Sequence, residues 1–584
     1  MKKKRNISAF IAAMLLIITS CSESFLDEDP YSFYAPGSKN DLTIDAQVVG
    51  LHRTFAELWG WSANQGFLSI FQIGTDVTSP SGTQGVENPF FQYANLNAEN
   101  AGVSWVWNKC YDFINHANII ISLVGDDNMP ATAEAKFFRA YAYNLLVTFW
   151  SDVPLIQEPI AIPRTDLIRN PVARVDSLIE ADLDYAIANL PDAGSASTES
   201  RINKDIARQL AAEAYLRMGM RDPAFFVKSE QMSTDVISNT RYQLIEARYG
   251  KYLAEGGDYY RDMFRWGNQR YSQGNKEGIW IFQMEYNRTV PGGTVDNPQF
   301  RRVWQASYHN IPGMVNCDSL GGRGIARLRL SNFMKYTIWN GLEGDIRNSN
   351  YNIRRQAYYN KPNMVIAGQT VIPWRDTIPV DANGFRVNKL IGGAPNPAVV
   401  DFVPVKTGDP LLHVTVTDTL GNWQPYVTKW GGYDPTDDFG YAIVKDWPVM
   451  RLGETYLLRA EARFRRGNTS GSADDINKLR DRAFKIARAA SGNADLGSVD
   501  AADITLDFIL DERARELIGE ENRRLTLIRT GKLADRILLN GDTTPADKII
   551  TGFQPYNLLL PIPLSEIRLN KDAELKQNEG YQVD

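Results

Sequence analysis

Three stretches far apart in the chain carry the same device. "AKFFRAYAYNLLVTFW" places Phe138, Tyr141, Ala142 and Leu145 at i, i+3, i+4 and i+7, a single apolar stripe of an α-helix. "LAAEAYLRMGM" repeats it with Ala211, Ala214, Tyr215 and Met218, and "ETYLLRAEARFRRGN" with Leu457, Ala460 and Phe464. In each, alanines sit in the middle of the helix, where a neighbouring helix can approach closely, with large residues on either side. The second and third run into a Gly-containing turn and another amphipathic segment, such as "ADDINKLRDRAF". A chain written this way must stack helix upon helix, because no single pair covers its own apolar face.

A small–large helix hairpin that recurs at several places looks like degenerate tetratricopeptide repeats, and the predicted fold is mainly α. An irregular helical bundle meets the same spacing. Between roughly Gly256 and Tyr441 the character changes: Gly, Pro and Asn become frequent, and strand-like runs such as "GIWIFQMEY" and "LLHVTVTD" replace the long helical periods. This predicts a loop-rich subdomain with short strands set into the helical scaffold, the usual place for binding groups.

The chain opens "MKKKRNISAFIAAMLLIITSCSESFLDEDP". Lys2, Lys3, Lys4 and Arg5 form a basic flank, and Ile7 to Thr19 an apolar run too short for a bilayer core, which needs about 20 residues. "ITSC" resembles a bacterial lipobox, in which the sulfur of Cys21 takes a diacylglyceryl group and becomes the new N-terminus. The polar, Pro-containing stretch that follows reads as a tether, and Glu23, Asp27, Glu28 and Asp29 resemble a surface-export signal of bacterial lipoproteins. The expected organisation is a lipoprotein signal peptide at 1–20, a lipidated tether at 21–40, an N-terminal helical-repeat region at 41–255, a loop-rich ligand-binding insertion at 256–441 and a C-terminal helical region at 442–584.

Net charge is −6, and removing residues 1–20 with their four basic side chains leaves −10. Without basic clusters such a chain is a poor nucleic-acid binder, and no nucleic-acid partner is expected. Trp and Tyr number 13 and 26 against four His, a balance that suits recognition by flat surfaces more than imidazole chemistry. There is no H-E-x-x-H, G-x-S-x-G, P-loop or dinucleotide fingerprint. His52, His116, His309 and His413 lack metal-ligand spacing, and no C-x-x-C occurs. Asp434, Asp437 and Asp438 in "YDPTDDFG" lack the calcium-loop spacing and its final Glu, which favours a polar turn; no cofactor is expected. Cys110 falls on a helical stripe with Trp107, Tyr111, Ile114 and Asn118 and reads as a buried, inert thiol; whether it pairs with Cys317 is open. In "DERARELIGEENRRLTLIRTG", Leu510, Ala514 and Leu517 form the stripe, and Glu512, Arg513, Glu516, Glu520 and Arg524 read as charge pairs on a solvated or salt-bridged face, worth a few tenths of a kcal/mol each at the surface. Paired carboxylates such as Glu512 and Glu516 are the weak hydrolase alternative. "PIP" at Pro561 to Pro563 predicts an extended, packed segment.

Several long phrases stand in fixed order: "AKFFRAYAYNLLVTFWSDVPL", "GGRGIARLRLSNFMKYTIWNGLEGDIRNSNYNIRRQAYYN", "MRLGETYLLRAEARFRRGN", "INKLRDRA", "ILDERARELIGEENRRLTLIRTGKL" and "NLLLPIPLSEIRLNKDAELKQNEGY". In this order, from lipobox to "QNEGY", they resemble the SusD/RagB family of outer-membrane lipoproteins. The resemblance implies a lipid-anchored, outward-facing binding protein that captures a nutrient and delivers it to a SusC-like TonB-dependent transporter, without catalysis. The implied ligand is an oligosaccharide, or a peptide as in the RagB branch; a surface glycosidase and a structural surface scaffold are the remaining alternatives. Aromatic side chains in the loop-rich region favour sugar rings.

The resemblance also implies that ligand contacts come from the segment ahead of the first long helix and from loops ahead of "GGRG". The first segment offers Asp76, Phe91, Tyr93 and Asn95 in "GTDVTSPSGTQGVENPFFQYANLN"; the second offers Tyr286, Trp304 and Tyr308. Trp304 and Tyr93 are the expected stacking platforms and Asp76 and Asn95 the hydroxyl partners. Arg323 in "GGRG" is a weaker polar candidate, and each ring has packing of its loop as the competing role.

Overall fold

The computed structural model describes residues 41–59, 70–80, 85–196, 199–285, 300–306, 324–325, 327–354, 425–431, 445–540 and 550–582, and the backbone of strands at 364–366, 369–371, 376–380 and 401–405. The chain divides into two compact units, residues 1–47 and 48–584. The described part of the first is the opening of helix α1 (Asp41–Trp59); everything below concerns the second.

The second unit is mainly helical. Helices α2 (Ala101–Val124), α3 (Met129–Trp150), α4 (Val172–Asn189), α5 (Lys204–Gly219) and α6 (Ala224–Ile237) follow one another, each packed on the next. After the loop-rich stretch, in which the short helix α7 (Phe300–Trp304) lies, come α8 (Leu452–Arg465), α9 (Thr469–Ser491), α10 (Leu506–Leu517) and α11 (Arg523–Arg529). Helix α8 packs on α6, α9 and α10, so the late helices continue the early stack, and α11 returns to α3. This is the helical-repeat scaffold that the alanine-centred periodicity predicts.

The ends are written locally. Asn100 caps α2 by accepting from the amides of Gly102 and Val103, and Asn203 caps α5 through Asp205 and Ile206. Where α5, α6 and α8 meet, Ala212, Leu216, Phe226, Leu458 and Ala462 form one cluster. The close approach there requires Gly219, because a Cβ at that position would lie 2.3 Å from the Phe226 ring. Helix α3 departs from a one-sided stripe: Phe137, Phe138, Tyr143, Leu146 and Trp150 are all buried, so the helix is enclosed on every side. Cys110 is buried as expected, beside Trp107, Ile114 and Asn118. The "PIP" segment is extended and packed: the Leu560 amide donates to the Phe149 carbonyl at 2.7 Å and Trp150 Nε1 to the Pro561 carbonyl at 2.8 Å.

The strands are short antiparallel pairs. β1 (Thr78–Pro80) pairs with β3 (Leu328–Leu330), and β2 (Gly278–Phe282) with β4 (Trp447–Arg451), Trp447 opposite Phe282. "GIWIF" is thus a strand as predicted; "LLHVTVTD" lies outside the described residues. The second pair clamps the loop-rich stretch to the start of α8.

The charge groups predicted on α10 are salt-bridged, but as an interior ion network instead of a surface face. Glu512 and Glu516 are both fully buried. Glu512 accepts from Arg347 at 2.8 Å, Arg480 at 2.9 Å and Arg515 at 2.7 Å. Glu516 takes Arg347 at 3.1 Å together with Arg451 and Arg482, and those two also hold Glu277, each at 2.8 Å. Burial pushes both carboxyls up, but the surrounding guanidinium groups outweigh it and hold them well below the usual range. The i, i+4 pattern is the same for a surface face and an interior one; the deciding arginines, Arg347 and Arg451, come from distant segments. Saturated in this way, the two carboxylates are closed to any substrate.

Candidate ligand-binding site

The segment ahead of α2 has no apolar period, and it folds as turns, β1 and two 3₁₀ turns, Asn88–Phe90 and Tyr93–Asn95. Buried charge fixes it in place. Asp76 is 0% exposed and accepts from Arg523 Nε and Nη2 at 2.9 and 2.6 Å and from Arg536 Nε at 2.8 Å. Burial pushes its carboxyl up, yet Arg523 and Arg536 prevail and lower it. Arg524 donates to the Ile70 carbonyl at 2.8 Å and to the Tyr93 hydroxyl at 2.7 Å, and the Tyr93 ring stands edge-on to Phe553 at 4.9 Å.

Phe91 and Tyr93 are buried, and Asn95 is exposed. Of the four first-segment candidates, then, three face the interior and one faces solvent. The partners that draw Asp76 and Tyr93 inward stand more than 400 residues later, Arg523 and Arg524 on α11 and Arg536 beyond it, where no local pattern reveals them. Tyr286, Tyr308 and Arg323 lie outside the described residues, as do Cys21, Cys317 and the Asp434–Asp438 turn. Among the described residues no cluster of three or more His, Cys, Asp or Glu is placed to hold a metal ion.

Trp304, expected as an exposed stacking platform, is 3% exposed; it packs at the end of α7, where it lines a cavity of about 140 Å³. Beside it Phe300 stacks on Trp430 at 4.1 Å and meets Trp447 at 5.2 Å. Across the cavity stand Phe55 and Trp59 of α1, Phe71, and Tyr141 of α3. Phe55 lies 5.6 Å from Tyr141 and 5.7 Å from Trp447, and Trp59 Nε1 donates to the Tyr141 hydroxyl at 2.5 Å. Such a wall offers ring faces at low conformational cost.

The polar lining comes from other helices. Glu213 of α5, Glu454 of α8 and Arg513 of α10 all border the cavity, with Asn522, the cap of α11. Glu454 accepts from Arg513 Nη2 and from Gln209 Nε2, both at 3.0 Å. No hydrogen bond reaches the Glu213 carboxyl among the described residues; only charges at a distance act on it. Burial, then the neighbouring Glu454, push it up to about 7, against the opposing pull of Arg529 and Arg513. Sequence reading passed over Glu213, although its setting between Ala212 and Ala214, in a helix crowded on both sides, is the available signal.

A family model described as the SusD family matches residues 422–581, and one described as starch-binding, associating with outer membrane, matches residues 25–216; together they cover about three fifths of the chain. The chain is 25% identical over 610 residues to a SusD-like protein P25 of Formosa agariphila, covering 99% of this chain and all of that one. It is 32% identical over 162 residues, 26% of each chain, to the starch-binding protein SusD of Bacteroides thetaiotaomicron. Among solved structures it is similar to a laminarin-binding SusD-like protein, with TM-score 0.63 and 22% identity over 93% of this chain and all of the other. It is similar also to surface glycan-binding protein A of Bacteroides thetaiotaomicron in complex with laminarihexaose, with TM-score 0.63 and 17% identity, spanning 92% of this chain and 99% of that one.

Proposed function

This chain belongs to the SusD family, and on that premise we propose that it is a surface-exposed outer-membrane lipoprotein that captures oligosaccharides without turnover and delivers them to a SusC-like TonB-dependent transporter. The observation that carries the reading is likeness over nearly the whole chain to a glycan-binding protein solved with its oligosaccharide. Acyl chains on Cys21 hold the protein at the membrane, and the helical stack offers the transporter a docking face. Capture near the barrel raises the local ligand concentration with no bond broken.

Within this reading the region 256–441 and the segment ahead of α2 hold the glycan. Asn95 supplies a hydroxyl partner, joined by the rings of Tyr286 and Tyr308, while Trp304, 3% exposed, packs from inside. Asp76, Phe91 and Tyr93 act from inside, fixing the segment that presents Asn95.

Calorimetry with neutral oligosaccharides, beginning with laminarihexaose, tests the reading. Binding is expected, and Tyr286→Ala or Tyr308→Ala should weaken it by about 1–3 kcal/mol, the range for lost aromatic platforms. Binding to peptides and to no oligosaccharide would replace the glycan with a peptide ligand. Unchanged affinity in both folded variants would move the site and leave the family assignment standing. Mild detergent extraction should bring down a much larger transporter with the protein, and Cys21→Ala should leave the chain soluble in the periplasm, because stable anchoring needs at least two acyl chains.

A further inference from the structure

A second cavity lies against the other face of β2. Along this strand Trp280 and Phe282 turn to the aromatic cluster, 4.5 and 5.7 Å from Phe55, and Ile279 and Ile281 turn the opposite way. The two isoleucines floor a space of about 340 Å³, walled by the α4–α5 loop, the stretch after α6 and the 3₁₀ turn Tyr271–Gln273. A cavity of roughly 150 Å³ accepts one benzene ring, so this one has room for a ring with its substituents.

The charge around it is lopsided. The Arg241 guanidinium and the Lys276 ammonium each stand 3.5 Å from the centre of the Tyr271 ring. Two cations that close to one ring centre take its opposite faces, and Arg241 is the one on the cavity side. Gly194, at φ +86°, lets the α4–α5 loop pass over the guanidinium, because a Cβ there would lie 2.5 Å from Nη1. No hydrogen bond or ion pair reaches either cationic head among the described residues. The lining carboxylate, Glu199, does not neutralise Arg241: its two oxygens accept from the Ser272 amide at 3.0 Å and from Gln283 Nε2 at 3.3 Å. Asn203, 6% exposed, adds a second donor. It spends Oδ1 on the cap of α5, and its Nδ2 has no partner. Neither donor is sealed off, since both keep accessible surface. A guanidinium stacked on a ring and free of partners presents its N–H fork to a planar anion, the geometry of a carboxylate.

We infer that this cavity binds one acidic sugar unit, a uronate, by its carboxylate. The Arg241 fork takes the carboxylate, Asn203 Nδ2 donates to a hydroxyl oxygen of the ring, and the isoleucine floor takes a C–H face. A neutral sugar leaves Arg241 unmatched. A small anion such as acetate matches Arg241 but leaves the floor and most of the space unfilled. The site is additional to the one proposed for neutral oligosaccharides and does not rest on it.

The test is calorimetry of the full chain with glucuronate, glucose and acetate, with a crystal structure in glucuronate. Glucuronate should bind at least tenfold more tightly than either of the others, with density between Arg241 and Ile281. Arg241→Gln, which removes the charge and the fork, should bring glucuronate to the level of glucose. Ala196→Trp, which fills the cavity from the α4–α5 loop, should weaken glucuronate tenfold or more, and it serves alone if the first variant does not fold. The inference is overturned if glucuronate does not bind at millimolar concentration, if glucose equals it, or if either folded variant keeps full affinity. Acetate as tight as glucuronate would reduce the site to an adventitious ion only and overturn it, as would a crystal with only water there. Displacement of glucuronate by laminarihexaose would also overturn it, by merging the two sites, while failure to bind any neutral oligosaccharide leaves it untouched.

Discussion

Replacing Glu213 with Gln should leave the protein about as stable as before at pH 5 and make it clearly more stable at pH 8. The carboxyl is pushed up to about 7 from an ordinary value of 4.5 by burial and by Glu454. Its contribution is therefore fully present below pH 4.5 and is lost as pH rises through 7, when the folded protein must hold a carboxylate in an aromatic cavity. At about 1.36 kcal/mol per pH unit, that shift corresponds to an upper value of ~3 kcal/mol above pH 8. Gln keeps the shape and never ionises, so the variant escapes the penalty; Glu454 also loses a like-charged neighbour. With an unfolding entropy of about 2.1 cal/mol/K per residue, a unit of this length has roughly 1 kcal/mol/K, so the gain is a rise of ~3 °C in the thermal midpoint. Scanning calorimetry of both proteins between pH 5 and 8.5 measures it. The other titrating groups are common to the two chains and drop out of the difference. A gap in midpoint that stays constant across this range would refute the argument, because only a group titrating near 7 can make it grow.

The ion network on α10 should be far less forgiving than a surface face. Arg482→Met, which leaves Glu516 and Glu277 short of a guanidinium, should cost about 3–5 kcal/mol, read from denaturant or thermal unfolding; a loss below ~1 kcal/mol would return the network to the surface class. Burial pushes the Cys110 thiol far up, so native protein should leave Cys110 unalkylated at pH 8 and denaturant should expose it, as peptide mapping will show.

The helices were legible because their information is local. Phe138 to Leu145 and Ala211 to Met218 announce period and packing within a dozen residues, and the asparagine caps at Asn100 and Asn203 stand beside what they cap. The strand at Gly278–Phe282 was equally plain. Burial of charge was not legible. Glu512 reads the same whether water or Arg347 lies opposite, and Arg347 is 165 residues away. Asp76 and Tyr93 stood correctly in irregular structure, but their arginine partners lie 447 and 431 residues further along the chain. Glu213 gives no sign in its helix that α8 and α10 bring Glu454 and Arg513 to the same cavity.

Those long spans bear on how the molecule comes into being. Asp76 waits for Arg523, Tyr93 for Arg524, and the Trp150 indole for the Pro561 carbonyl, so the early helices meet their closing partners only when almost all of the chain exists. A growing polypeptide can pair its first helices as they emerge, but the interior seals last and from the far end. Until then Asp76, Tyr93 and the Trp150 indole wait with their polar groups unmatched.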